Sequence, residues 1–279
     1  MAKISNTKKS SESDISTRTV IQIIFLVGTV LIGLRHIMPG ESSKGGAFDV
    51  FCPFGAIETF WSYITTGLTL KTTSPLNFAV FLGVLGVSLL AGRAFCGWMC
   101  PVGTIQDFLA NLSNRIFISK KKQIAGKQIS LPYKISPRND AWLRSFKYLI
   151  LVIILLASTF AIYPPLREIC PARALLSFQL TTPLLWSVLI TFVITSMANK
   201  RFWCKYLCPL GAVLAPFNKI APLRLVLNQA SCTNCRRCDA ACPMDIPDLT
   251  NNLRSAECIE CLECQDTCNE EDALELRLF

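Results

Sequence analysis

Histidine is almost missing: His36 is the single one in 279 residues. A transmembrane b-type haem held by two imidazoles needs more than that, so the chain is not a cytochrome b. Charge is scarce too. Asp, Glu, Lys and Arg make up 17% of the residues against 51% hydrophobic, and the mean hydropathy is +0.41. That balance excludes a disordered or ordinary water-soluble chain and points to a membrane protein. No small-residue cleavage site follows the first apolar run, which therefore reads as an uncleaved anchor and not a signal peptide. No flavin site is visible. Cysteine, by contrast, is abundant, with 14 residues. Such usage is not that of a small disulfide-stapled secreted domain and fits metal binding.

Eight of these cysteines form Cys232-x2-Cys235-x2-Cys238-x3-Cys242-Pro243 and Cys258-x2-Cys261-x2-Cys264-x3-Cys268. This is the ligand run of a two-cluster bacterial ferredoxin, written twice. Each 4Fe–4S cube takes four thiolates, three from one run and the fourth from the other. Cys232, Cys235, Cys238 and Cys268 are thus the first ligand set, and Cys258, Cys261, Cys264 and Cys242 the second. Asn269 stands where a second proline is expected. Two zinc sites or four disulfides are the competing readings, but zinc sites usually show paired C-x2-C knuckles instead of three cysteines at steps of three. The run implies one-electron transfer.

Four apolar runs, at 20–38, 76–92, 146–163 and 180–198, are each long enough to be read as membrane spans. The second carries Gly83, Gly86 and Gly92, which suits close helix packing in lipid. Ten Lys and Arg lie between Arg93 and Lys147, and four in the first 18 residues, against two in each of 39–75 and 164–179. The positive-inside rule then puts the N-terminus, the long basic loop and the C-terminal domain in the cytoplasm of a cell with an inner membrane. The net charge of +9 hides a division, because residues 228–279 hold 11 acids against four Arg. The basic remainder is explained by topology and needs no nucleic acid. The acidic domain is expected to dock on the basic loop in a salt-sensitive way.

The expected fold is an all-α polytopic membrane protein of four transmembrane helices in two pseudo-symmetric halves, followed by an α+β two-cluster ferredoxin domain. Residues 1–18 form a disordered cytoplasmic tail, 19–227 the membrane domain with repeats at 19–110 and 146–220, and 228–279 the ferredoxin domain. The repeats run parallel, related by an axis along the membrane normal. Each holds two Cys-Pro boxes: Cys52-Pro53 and Cys96-x3-Cys100-Pro101 in the first, Cys170-Pro171 and Cys204-x3-Cys208-Pro209 in the second.

Proline fits the first helical turn, so the preceding cysteine sits at a helix N-terminus, where the dipole favours thiolate. The glycines two residues after proline, Gly55, Gly103 and Gly211, would let other backbone approach closely. Cys96, Cys100, Cys204 and Cys208 come two from each half on the cytoplasmic face. They can share one iron–sulfur cluster, or they are small buried residues at tight helix starts. Cys52 and Cys170 fall on the outer face, roughly 28 Å away across a span of about 19 residues, unless the stretch after Cys52 is re-entrant. A disulfide, a dithiol relay and an outer metal site all remain open for them. Arg93 and Arg201 precede the inner boxes at matching positions, where they either stabilise thiolates or mark the membrane boundary. Arg35 with His36 can anchor a helix end or meet a quinone head group, and Glu58 and Arg173 carry the same ambiguity.

Together the spans, the paired C-x3-C-P boxes and the ferredoxin run resemble the NapH/MauN-type membrane ferredoxins, and the boxes also occur in NosR- and CcoG-type proteins. The resemblance covers the chain beyond residue 18. It implies a quinol dehydrogenase-type subunit, passing electrons between the quinone pool and a ferredoxin-type or reductase partner through two cytoplasmic 4Fe–4S clusters. The alternatives it implies are a carrier relaying electrons from cytoplasmic ferredoxin across the membrane through the Cys-Pro boxes, and a maturation or regulatory redox protein. The Cys52 and Cys170 boxes depart from the nitrate-linked pattern and point to another outer-face acceptor.

Overall fold

The computed structural model describes residues 16–37, 52–67, 70, 75–119, 137–160, 165–176, 182–270 and 272–279. Proline sets most helix starts: α2 (Pro53–Thr66), α3 (Pro75–Ala91), α5 (Pro101–Ser119), α6 (Pro137–Ser158), α7 (Pro171–Leu176), α8 (Pro183–Ala198) and α10 (Pro209–Leu214) all open on one. The others in the membrane part are α1 (Thr17–Ile37), α4 (Ala94–Trp98), α9 (Phe202–Tyr206) and α11 (Phe217–Ile220). Gly67 closes α2 in the left-handed conformation, its N–H donating to the Tyr63 carbonyl.

Two helices are long and apolar enough to cross a membrane, through 17–34 of α1 and 139–158 of α6. Only 17% of each window is buried, so residues such as Ile24, Leu31, Val152 and Leu156 face outward. The shorter apolar helices α3 and α8 match the other two expected runs. Two boundaries differ from expectation. Helix α6 begins well before residue 146, because its polar first turns hold Arg144 and Lys147 against the C-terminal domain and Asp140 against Tyr206 of the membrane part. Arg18, assigned to a disordered tail, lies in α1 and is 8% exposed, held there by carboxylates of two other segments. Residues 1–15 lie outside the described residues, as do the side chains of Arg35 and His36.

The packing repeats. Helix α2 lies on α3 and α6 while α7 lies on α8 and α1; α4 touches α3 and α1 while α9 touches α8 and α6; α5 packs on α1 and α8 while α10 and α11 pack on α6 and α3. Helices α2 and α7 thus each lie between one helix of their own half and one of the other, while α4 and α9 stay within their own halves. Arg18 at the start of α1, Arg93 just after α3, Arg144 in the early turns of α6 and Asn199 after α8 all reach the C-terminal domain or a side chain bound to it, so the four apolar helices alternate in direction.

The C-terminal domain holds β1 (Leu223–Leu227), α12 (Arg237–Ala241), α13 (Glu263–Asp266) and β2 (Leu274–Leu278). The strands pair antiparallel with Leu225 opposite Leu276 and Leu227 opposite Leu274. The domain therefore starts at Leu223 and not at 228, since β1 has its partner only there. One core runs through both parts, joining Val84, Cys96 and Leu214 to Met244, Ile259 and four ferredoxin-run cysteines.

Candidate redox site

In the ferredoxin runs, tight turns present the thiols. Asn234, Arg236, Glu260 and Leu262 take left-handed backbone conformations between cysteines, which bends the chain back at each step of three. Cys242, Cys258, Cys261 and Cys264 are buried and line one small cavity with Met244, Ile246 and Ile259. Cys242 thus stands with three thiols of the other run. Cys232, Cys238 and Cys268 are half-buried and Cys235 is exposed; the Arg237 N–H and the Thr233 hydroxyl hold the Cys235 thiol below its ordinary value. Arg237 Nη1 ties the two runs by donating to Asn269 Oδ1 at 2.7 Å. Among the described residues no three His, Cys, Asp or Glu side chains converge on a single-ion site. A cube instead spreads its four ligands over four iron atoms, and an apolar cavity lined by four thiols suits that group.

The inner boxes come together across the two halves. Cys96 and Cys204 are buried, and Cys100 and Cys208 are half-buried at the starts of α5 and α10. Burial, then the nearby Cys204 and Cys96, push the Cys100 thiol up to about 12, against the pull of the Gly103 N–H. Cys208 is raised well above its ordinary value for the same reasons. At Cys100 and Cys208, desolvation and like neighbours outweigh the pull of the helix end, and added positive charge would reverse that. The donor set of four close thiols, two buried and two half-buried, fits a metal centre that supplies such charge.

Two arginines face this quartet, and both are fully buried, so they are not boundary markers. Arg201 crosses to the other half, donating from Nη1 to the Cys96 carbonyl at 2.8 Å and pairing through Nε and Nη2 with Asp107 at 2.8 and 2.6 Å. Arg93 crosses the opposite way, its Nη2 lying 2.7 Å from where a Cβ on Gly211 would sit. Gly103 and Gly211 do permit close approach, of the Cys96 and Cys204 carbonyls and these guanidinium groups. Burial works against charge on Asp107, but Arg201 and Arg18 more than offset it and hold the carboxyl below its ordinary value. Gln106 donates to the Cys204 sulfur at 3.2 Å and accepts from the Trp203 N–H at 3.1 Å; Asn218 accepts from the Arg93 N–H at 2.6 Å. Gly92 has a φ of 57° with the Asn218 carboxamide where a side chain would be.

The ferredoxin domain docks on both boxes. A Cβ on Gly97 would run into the Ile259 carbonyl, so this backbone lies directly against the second run. Trp98 Nε1 donates to the Glu260 carbonyl at 2.8 Å. Glu257 receives Arg93 at 3.1 Å and also Lys147, and Arg18 bridges Asp107 and Glu263. On the other half, Lys205 meets Asp245 at 2.5 Å and Arg144 donates to the Met244 carbonyl at 2.6 Å. The docking expected on the basic loop thus uses its two ends, Arg93 with Arg144 and Lys147; Lys120, Lys121 and Lys122 lie outside the described residues. Apart from Glu263, whose side chain is 45% exposed, these pairs are largely buried and so are screened by salt less than a surface contact would be.

Cys52 and Cys170 stand together. Burial and Cys170 push the Cys52 thiol up to about 12. Both pack against the cluster of Phe54, Ile154 and Leu166, which Leu210 and Val213 of α10 also join. Helix α2 packs on α3 and α6 and also reaches α10. Glu58 is buried, accepting from the Leu166 N–H at 3.1 Å; burial pushes its carboxyl up to about 7. Arg173 is buried as well.

Sequence reasoning did not single out Gln106, Asp107, Asn218, Glu257 or Lys205. Asp107 and Lys205 had a signal, being ionisable residues close to a cysteine box; the side-chain amides had none.

A family model described as a 4Fe-4S binding domain matches twice, at 73–122 and 181–227, once over each inner box. A 4Fe-4S dicluster domain matches 224–269. MJ0750 of Methanocaldococcus jannaschii, an uncharacterized protein, is 30% identical over 225 residues, covering 80% of this chain and 84% of its own. YccM of Escherichia coli K12, which bears an electron-transport name, is 29% identical over 269 residues, 91% of this chain and 71% of its own. The ferredoxin-type protein NapH of Haemophilus influenzae is 28% identical over 203 residues, 67% and 63% of the two chains. No solved structure matches. The thiol sets and these matches define an iron–sulfur electron-transfer protein of ferredoxin type, with two helices long and apolar enough to cross a membrane. The chain belongs to the family of NapH- and MauN-type ferredoxins.

Proposed function

We propose that the chain is a multi-pass subunit of the cytoplasmic (inner) membrane that links the quinone pool to a partner redox protein, a second ferredoxin-type protein or a reductase subunit. Helices α1, α3, α6 and α8 span, and the N-terminus and ferredoxin domain face the cytoplasm, which agrees with the basic residues gathered there. Cys232, Cys235, Cys238 and Cys268 hold one 4Fe–4S cluster; Cys258, Cys261, Cys264 and Cys242 hold the second. Cys96, Cys100, Cys204 and Cys208 hold a further iron–sulfur centre shared between the halves.

The observation that carries this reading is the docking of the second run on the first box, Ile259 against Gly97 and Glu260 against Trp98. Iron–sulfur centres supply one-electron transfer. The protein's part is to fix their order: the four buried thiols of the inner ferredoxin set lie beside the membrane quartet, and the set containing exposed Cys235 faces outward for a partner. Arg93 and Arg201 put positive charge beside the quartet and favour its reduced, more negative state. Iron counting tests this. About eight iron atoms per chain means the ferredoxin clusters alone and about 10 to 12 a membrane centre too. Replacing Cys96 and Cys208 by Ser should bring the higher count down to about eight. Cluster spectra that stay unchanged on adding any quinol would rule out the quinone link.

A second reading, a carrier that relays electrons across the membrane through Cys52 and Cys170, draws support from the shared packing of those thiols with α10. Unchanged trans-membrane electron delivery by a Cys52→Ser, Cys170→Ser protein would exclude it.

A further inference from the structure

The C-terminal domain is acidic, with 11 acids against four Arg in residues 228–279, yet one depression on it is basic. It holds about 300 Å³ between Arg224 of β1, Thr250 and Arg254 of the segment before the second cysteine run, and Phe279 after β2. No Asp or Glu lines it. Arg224 stands opposite Arg277 in the strand pair, and like charges so placed repel. Arg277 has its counter-charge, donating twice to Glu275 at 3.0 and 2.9 Å. Arg224 has none among the described residues. Its guanidinium lies 3.9 Å over the Phe279 ring, a contact that leaves its N–H groups unused. Arg254 is exposed and likewise meets no carboxylate among the described residues. Thr250 spends its hydroxyl proton on Asp248, so the two guanidinium groups are the main donors on offer.

The depression sits where the domain meets the membrane part. Asn218 of α11 donates to the Ser255 carbonyl at 3.1 Å, next to Arg254, and α11 packs on α3. Leu223 and Leu276 of the sheet line one apolar cavity with Val87 and Ala91 in the last turns of α3. Around this rim Lys219, Ile220, Leu278 and Phe279 are exposed. Exposed apolar side chains beside unpaired cations suit the boundary between lipid head groups and acyl chains. A soluble anion would satisfy the guanidinium groups but leave Ile220 and Leu278 in water. A neutral phospholipid would bring its own ammonium group towards Arg224 and Arg254. An anionic one presents its phosphate without that cation, and phosphate oxygens match the guanidinium fork.

We infer that this depression binds the phosphate of an anionic phospholipid, held by Arg224 and Arg254 with Lys219 beside it, while Ile220, Leu278 and Phe279 rest at the acyl boundary. The inference rests on the membrane topology proposed above. The lipid supplies the counter-charge that Arg224 lacks within the chain, and fastens the sheet of the ferredoxin domain to the end of α3 independently of the buried pairs at Glu257 and Asp245.

The test uses the full-length, cluster-loaded protein in nanodiscs of phosphatidylcholine with or without phosphatidylglycerol. Lipid kept through gentle detergent extraction is counted by native mass spectrometry, and its place is found with a photoreactive phosphatidylglycerol followed by peptide mapping. Retained phosphatidylglycerol is expected, with the label on peptides containing 219–229, 250–254 or 274–279. Arg224→Gln and Arg254→Gln should each lower that retention about fivefold, with iron content and cluster spectra unchanged, and Arg224→Lys should lower it less. The label map needs no variant. Equal retention of phosphatidylcholine, labelling elsewhere, or retention that both Gln variants leave unchanged would overturn the site while leaving the membrane topology intact. Displacement of the lipid by inorganic phosphate would assign the depression to a soluble anion and overturn the lipid. A wild-type protein that stays in solution without detergent or lipid would overturn the topology and the site together.

Discussion

Gly97 shows how much one missing Cβ decides. It sits between two box residues, with the Ile259 carbonyl in the space a side chain would take. Gly97→Ala must push the second run off the box or bend α4, and overpacking of this kind costs about 1–3 kcal/mol. The expected outcome is a lower melting temperature and faster proteolysis between Leu227 and Cys258, with both ferredoxin clusters still assembled. Asp107 works through charge. It is the shared partner of Arg201, from the other half, and Arg18, from α1. Asp107→Asn leaves two buried guanidinium groups short of a counter-charge, and loss of one partner of a buried pair typically costs about 3–5 kcal/mol. Thermal unfolding in detergent should show that loss, and an Arg18→Met, Asp107→Asn double variant should show less than the sum of the single effects if the network acts as a unit.

At the scale of elements, the short helices after each Cys-Pro pair are what hold the halves together. Helices α2 and α7 cross to α6 and α1, and α5 crosses to α8, while Arg201 of the second half donates to the Cys96 carbonyl of the first. Expression of either half alone should therefore give no membrane iron centre, read by iron content, while co-expression of both restores it. The docking segment 255–261 has its own titration. Burial opposes charge on Glu257, but Arg93, Lys147 and Arg144 more than offset it and hold its carboxyl below the ordinary value. A depressed carboxyl adds stability that is present above the unfolded-state pKa, about 4.3, and is lost as pH falls through the lower folded value. Stability should accordingly decline on acidification below about pH 4.3, and Glu257→Gln should flatten that part of the curve while lowering stability at pH 7.

For the whole molecule, the ferredoxin domain and membrane part share one core and a set of buried ion pairs. Buried pairs are screened little by salt, so electron transfer between the two parts should hardly change from low to high ionic strength. Reactions with a soluble partner at the exposed Cys235 side should change strongly; equal salt dependence of the two would contradict the order of centres proposed above. The sequence by itself determined the chemistry. Thiol spacing is a local property, and Cys232 to Cys268 reads as two cubes without coordinates; the apolar runs and the prolines behind each cysteine likewise announced most helix starts. What only the tertiary structure decided is which groups meet. Arg93 and Arg201 are identical as sequence signals whether they face water or thiols, and burial alone distinguishes the two. That Cys52 packs with Cys170 and shares a cluster with Leu210 of α10 is likewise a matter of which helices pack together, which a count along the chain does not give. Glu257, Gln106 and Asn218 carry no local pattern, since their roles depend on partners more than 90 residues away in the chain for each of them.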